Sequence, residues 1–182
     1  MKIEFIPEFQ ISLDDQHQIS ELLKQCFPEE DFKGRTYFRQ LPHYRLLLRD
    51  KSRIIGQLAV DYRVMVLDQI PIKVIGVVDL AVLTQYQKQG HASSLLQALD
   101  ELVDQSKVNI DIILLCTRYP KFYEKSGFVA VSKPQTVRWL AMDNHVNHGI
   151  KTELITDDLM YKKVGDVEWK DHSVLDMLGY WY

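Results

Sequence analysis

Val78-Asp79-Leu80-Ala81-Val82-Leu83-Thr84-Gln85-Tyr86-Gln87-Lys88-Gln89-Gly90-His91-Ala92 is the stretch that decides the fold. Its first half is apolar and reads as the end of a strand. Its second half is polar, is broken by Gly90 and opens a helix. From Ala92 onward, Leu95, Leu96, Leu99, Leu102 and Val103 recur at helical spacing, with Gln97, Asp100, Glu101, Asp104 and Gln105 on the opposite face. Such a turn leaves the first helical N–H groups without internal partners at a strand end, where the helix dipole adds partial positive charge. An anion suits that place, and a pyrophosphate suits it well. Gly90 lets the backbone approach a ligand, Ala92 keeps side-chain bulk away, and Lys88 adds charge at the rim. A plain helix start behind a glycine turn would look the same locally. The chain has neither Gly-x-Gly-x-x-Gly nor a Gly-Lys-Ser/Thr turn, so neither a dinucleotide fingerprint nor a nucleotide P-loop is present.

Working outward, residues 110–116 form a near-continuous apolar run, as a strand buried on both faces should. Strand, helix and strand over 70–116 have the length of a crossover, so strands 70–83 and 110–116 are expected to be parallel neighbours. Upstream, residues 2–11 read as a first strand. Ser12 to Asp15 then resembles a capping box, and Ile19, Leu22, Leu23, Cys26 and Phe27 follow at helical spacing until Pro28. A short helix is expected over 33–40, a strand over 44–49, a turn at Asp50-Lys51-Ser52, and a long strand over 54–67 ending in the turn at Asp68-Gln69. Downstream, Pro120 suits a helix first turn and Gly127 a helix C-terminus, with another strand within 128–142. The pattern predicts an α/β (α+β) fold. Its central sheet is mixed and mostly antiparallel, with a parallel central strand pair and flanking helices, in a single domain over 1–182.

Bulk properties narrow the function. The chain has 182 residues, a net charge of −3, and 22 basic and 25 acidic residues scattered without blocks. No basic stripe serves nucleic acid, no apolar run approaches the ~20 residues of a membrane span, and the N-terminus lacks a signal-peptide core. Cys26 and Cys116 are too few for a disulfide framework, and a cytoplasmic protein with reduced thiols is expected. Asn144-His145-Val146-Asn147-His148-Gly149 carries two histidines three apart without a carboxylate or thiol partner, so it reads as a polar loop, and no metal site is expected. The aromatic ending Gly179-Tyr180-Trp181-Tyr182 reads as a tail docked on the sheet, with a substrate lid as the alternative.

Gln87-Lys88-Gln89-Gly90-His91-Ala92 resembles the coenzyme A pyrophosphate motif of the GCN5-related N-acetyltransferases, the GNAT superfamily. Leu80-Ala81-Val82 is similar to the strand that in that family hydrogen-bonds pantetheine and carries a bulge beside the thioester. Phe122-Tyr123-Glu124-Lys125-Ser126-Gly127-Phe128 resembles the family's later helix-to-strand motif. The two matches stand in the expected order and cover about residues 54–131. The acidic start and the ending Leu175-Asp176-Met177-Leu178-Gly179-Tyr180 resemble the branch with aminoglycoside 2′-acetyltransferases and nodulation acyltransferases. The resemblance implies an acetyl-CoA co-substrate held by Leu80, Ala81, Val82, Gln87, Lys88, Gln89, Gly90, His91, Ala92 and Ser93. It implies an amine acceptor bound by elements about 28–45 and 133–182, and direct attack of the amine on a thioester carbonyl polarised at the Val82 N–H. One departure stands out. Many members have Asn seven residues before the Tyr of the later motif, where it contacts pantetheine, and this chain has Cys116.

Acyl transfer needs a neutral amine, a polarised carbonyl and a proton for the departing thiolate. Tyr123 is the favoured acid, because the family places a Tyr hydroxyl near the coenzyme sulfur. Its alternative is an aromatic helix residue packed on the sheet. Asp79 is a candidate base acting through water, or else a strand-end carboxylate bonded to backbone. His43 is a further base candidate. Cys116 ends an apolar strand without a nearby His or Asp pattern, which reads as a core thiol rather than a nucleophile. A non-catalytic module that senses acyl-CoA is the competing class, and the sequence leaves open the acceptor and whether the protein is a monomer or a homodimer.

Overall fold

The computed structural model describes residues 1–131, 133–156 and 158–182. Ser132, within the strand expected over 128–142, lies outside the described residues, as does Asp157. The chain divides into two compact units, Met1–Asp61 with Val77–Gln105, and Tyr62–Gly76 with Ser106–Tyr182. Two long strands, β3 (Arg53–Leu67) and β4 (Ile70–Val82), each contribute residues to both units.

In the first unit, β1 (Lys2–Pro7) pairs antiparallel with β2 (Tyr44–Asp50), and β2 pairs antiparallel with the first half of β3. Helix α1 (Leu13–Cys26) starts at Ser12, whose hydroxyl accepts the Asp15 N–H at 3.1 Å, and buries Ile19, Leu22 and Leu23. Helix α2 (His91–Asp104) buries Leu95, Leu96 and Leu99, the stripe expected from the sequence. Arg49 is hydrogen-bonded to Glu4 at 2.7 Å and to Asp15 at 2.8 Å, so one guanidinium ties the first strand pair to the start of α1. Those bonds hold both carboxyl groups below their usual range.

The helix expected over 33–40 does not form. Lys33 and Gly34 take positive φ values of 51° and 73°, a left-handed pair that no α-helix accommodates, and Tyr37 and Phe38 sit in irregular chain. The first strand ends at Pro7, and a 3-10 turn over Glu8–Gln10 replaces its expected continuation.

In the second unit, the first half of β4 runs parallel to β5 (Ile112–Cys116), as the crossover length implied. The short helix α3 (Pro120–Glu124) carries Pro at its start, and β6 (Val129–Ala130) follows. Next come β7 (Gln135–Asp143), β8 (Val146–Ile155), β9 (Leu159–Lys163) and β10 (Val174–Tyr180). Two strands, β6 and β7, thus stand where one was expected. β5 pairs antiparallel with β9, and β9 with β6. β10 lies antiparallel to β3 and parallel to β7, which forms a hairpin with β8. The expected polar loop 144–149 is a two-residue turn, Asn144-His145 with positive φ at both, and then the start of β8. The unit's core gathers Met65, Leu67, Ile72, Val74, Ile112, Leu114 and Val137. The aromatic tail docks on it. Tyr182 lies so close over Gly76 that a Cβ there would meet its ring at 2.2 Å, and Trp181 packs on Trp139 with ring centroids 5.1 Å apart. Cys26 and Cys116 are in no disulfide, and among the described residues no helix is long and apolar enough to cross a membrane.

Candidate active site

The residues singled out in the sequence fall into two groups. The first unit holds the whole 78–93 stretch. Strand β4 carries a left-handed kink at Asp79, whose φ of 48° is unusual for a residue with a side chain. Its carbonyl accepts the Gln57 side-chain amide at 3.2 Å. After the kink, Ala81 and Val82 are buried, and the Val82 carbonyl accepts the Gln87 side-chain amide at 2.9 Å and the Cys26 thiol at 3.4 Å. Gln87 therefore ties the turn to the strand end, while burial pushes the Cys26 thiol up. Gly56, on β3, makes room for this edge, since a Cβ there would lie 3.0 Å from the Ala81 carbonyl oxygen.

The turn passes through a 3-10 turn over Thr84–Tyr86 and reaches Gly90 in the left-handed region at φ 86°. Gly90 is the N-cap of α2 and supplies no capping side chain, and the first helical turn contains no acidic residue. A Cβ at Gly90 would meet nothing within 4 Å, so the space in front of the helix is open. Ser93 is exposed, Lys88 and Gln89 are exposed at the rim, and the His91 ring presents a buried Nε2 without a hydrogen-bond partner. The arrangement leaves the first main-chain N–H groups of α2 without a side-chain cap, and an end of this kind suits an anion.

Asp79 is half-buried, and its carboxyl is pushed up to about 6, because burial disfavours the anion more than Arg45 and Arg39 favour it. It therefore exchanges a proton near neutrality. His43 Nδ1 meets Asp61 at 2.8 Å, with the imidazole half exposed and the carboxylate buried. His43 opens on a groove of about 890 Å³, lined also by Glu8, Leu13, His17, Arg35 and Tyr44.

In the second unit, Tyr123 sits on α3 with its ring edge-to-face on Phe122 at 4.9 Å and Phe128 at 5.7 Å. Burial pushes its phenol up to about 12, against a hydrogen bond with the Thr117 side chain that pulls it down, so it keeps its proton at neutral pH. Cys116 ends β5 half-buried and packs against the core of its unit. His145 and His148 belong to the β7–β8 hairpin, and among the described residues no cluster of three His, Cys, Asp or Glu could hold a metal.

Sequence reasoning passed over Arg45, Gln57, Gly56 and Asp61. A signal for three of them was there. Arg45, Gln57 and Asp61 stand beside apolar residues in β2 and β3, and all three are buried.

The family described as Acetyltransferase (GNAT) domain matches residues 10–131. Among solved structures, a GCN5-related N-acetyltransferase from Anabaena variabilis is 17% identical, with a TM-score of 0.59, over 75% of this chain and 34% of that one. The chain thus spans about a third of that protein's length. The GNAT family N-acetyltransferase YhbS from Escherichia coli, crystallised with CoA, is 16% identical with a TM-score of 0.59, over 97% of this chain and 89% of that one. An IAA acetyltransferase from Bacillus cereus is 15% identical with a TM-score of 0.53, over 90% and 99%. At these identities the likeness is one of fold. No curated protein matches the chain.

Proposed function

The chain belongs to the GNAT acetyltransferase domain family, and on that premise we propose that it moves an acetyl group from acetyl-CoA to a primary amine of a small molecule or peptide. The observation that carries the reading is the Asp79–Ala92 segment. A kinked strand edge leads into an uncapped helix N-terminus that has open space before it. The thioester and the pyrophosphate are two polar groups of acetyl-CoA, and this segment offers main-chain N–H groups for each. Leu80, Ala81 and Val82 take the pantetheine arm, with the Val82 N–H polarising the thioester carbonyl. Gln87 to Ser93 take the pyrophosphate. Residues 1–182 act as one acyltransferase domain in this reading, with 28–45 and 133–182 shaping acceptor recognition.

The amine attacks the carbonyl carbon directly, the C–N bond forms, and the C–S bond breaks. Asp79, ionised above about pH 6, accepts the ammonium proton through water. Tyr123 keeps its proton at neutral pH and donates a hydrogen bond, then the proton, to the sulfur as charge develops there. A reading as a non-catalytic acyl-CoA sensor draws on Cys116, which stands where many members carry a pantetheine-contacting Asn. One experiment separates them. Acetyl-CoA and CoA should raise the melting temperature while NAD and ATP do little, and thiol release should follow when a panel of primary amines is added. Stronger stabilisation by NAD or ATP would sink the CoA reading. Stabilisation without turnover on any amine would leave the sensor.

A further inference from the structure

We propose that Arg45 and Gln57 are positioning residues that hold the kink at Asp79, and with it the Leu80–Val82 edge, in acyl-receiving geometry. The inference rests on the acyl-transfer reading above. A residue with a side chain enters the left-handed region only when its surroundings hold it there. The hold at Asp79 comes from the Gln57 amide, whose Nε2 donates to the Asp79 carbonyl at 3.2 Å. That amide is itself fixed. Its oxygen accepts Arg45 Nη1 at 2.6 Å, and turning the amide over would set its N–H groups against a guanidinium that can only donate. Arg45 is fully buried and is anchored in turn. Its Nε reaches Glu8 Oε2 at 2.6 Å, while its Nη2 reaches Glu8 Oε1 at 3.1 Å and the Thr36 carbonyl at 2.7 Å.

The chain of bonds joins five segments of one unit: the turn after β1, the irregular segment over 28–43, β2, β3, and the kink in β4. Glu8 neutralises the buried charge, and the planar fork of an arginine spans the three partners at once, which a lysine ammonium could not do. The segment carrying Thr36 is the one assigned above to acceptor recognition. The same arginine therefore sets the acceptor-side segment and the acyl-side edge relative to each other.

Gln57→Glu isolates the step that matters. The new carboxylate keeps the length and still pairs with Arg45, but it has no N–H for Asp79 and sets an oxygen against the carbonyl. Three readouts apply: CoA affinity by calorimetry, amide hydrogen exchange by residue, and thiol release from acetyl-CoA with whichever of spermidine, tyramine and lysine methyl ester the wild type uses fastest. CoA affinity should stay within about twofold, because the pyrophosphate turn is untouched, whereas kcat falls at least about tenfold. Exchange at Asp79–Val82 should quicken at least about tenfold while the buried amides of α1 and α2 keep their rates. Gln57→Met and Arg45→Lys should show the same local loosening, and they serve if Gln57→Glu does not fold. A folded variant with wild-type exchange and kcat overturns the inference, as does exchange that quickens equally everywhere. A wild type that neither binds CoA nor turns over an amine counts against acyl transfer, and the exchange measurement still decides the positioning role.

Discussion

The two long helices begin in opposite ways. Helix α1 starts at Ser12, whose hydroxyl caps the Asp15 N–H, with Asp14 and Asp15 in its first turn and Arg49 bonded to one of them. A side-chain cap and first-turn carboxylates of the chain itself thus serve that end. Helix α2 starts at Gly90, with no capping side chain, no acidic residue in its first turn and open space in front. Both ends carry the same orphan N–H groups and the same dipole. The first is capped by its own chain, whereas the second is left uncapped, and it is this end that the proposal assigns to the CoA pyrophosphate. Changes at the α2 end and its strand should therefore alter binding or turnover, and changes at the α1 end should alter stability alone.

The largest effect expected is that of Gly90→Glu. A carboxylate would enter the space that the proposal gives to the pyrophosphate, and the left-handed φ of 86° would strain any side chain. CoA affinity should fall by about 100-fold or more, with the melting temperature lowered only modestly for so exposed a turn. Isothermal titration of the folded variant checks this, and wild-type affinity would break the contrast between the two helix ends.

Next in size is Tyr123→Phe, which keeps the ring packing on Phe122 and Phe128 and removes only the hydroxyl. Loss of a general acid typically costs about 10²–10⁴-fold, so a fall in kcat of at least about tenfold is expected, with acyl-CoA affinity nearly unchanged. Steady-state kinetics beside a CoA titration decide it. Full activity would pass the proton to water or another residue.

Asp79→Asn should act on both sides of the contrast. Its carboxyl is raised from 3.8 to about 6 in the fold, so the folded protein holds this proton more tightly than the unfolded chain does. The stability linked to it is fully present below about pH 4 and is lost as pH rises through about 6. At pH 7 the neutral amide should be more stable than the anion by about 1–2 kcal/mol, discounted for partial exposure, and the gap should close as pH falls toward 4. kcat/KM of the wild type should rise through about pH 6, and that limb should vanish in the variant. Thermal melts across pH test the first part and pH–rate profiles the second.

The smallest effect is that of Ser12→Ala, which uncaps α1. It should cost about 1 kcal/mol, or roughly 2–4 °C in melting temperature for a chain of this size, and leave CoA affinity untouched. Scanning calorimetry with and without CoA would sharpen the comparison by placing the two helix ends on separate axes.

The legible parts were those in which local chemistry and fold agree. Ser12, Pro28, Pro120 and the stripe Leu95-Leu96-Leu99 act within a few residues of themselves, so α1, α2 and the start of α3 could be placed from the chain alone. Residues 33–40 misled, because a short helix packing Tyr37 and Phe38 inward was expected there, while Lys33 and Gly34 turn the chain left-handed, with Arg35 bonded to the Phe32 carbonyl at 3.0 Å. The last third was nearly unreadable. Nine of the ten residues of β8 are exposed, so its sequence carries little of the apolar alternation that marks a half-buried strand.

The sequence alone determined the strand–turn–helix around Gly90, because a glycine, an amphipathic stripe and an apolar strand act over short distances. It also determined the parallel pairing of β4 with β5, because the length of a crossover is itself a local quantity. Tertiary structure decided what depends on residues far apart in the chain. Glu8, Arg45 and Gln57 meet beneath Asp79, and β10 lies between β3 and β7. The Tyr182 ring fills the space a side chain at Gly76 would need. Hydrogen-bond partners and packing partners at such separations are selected by the closing of the sheet, and no periodicity of a single segment encodes them.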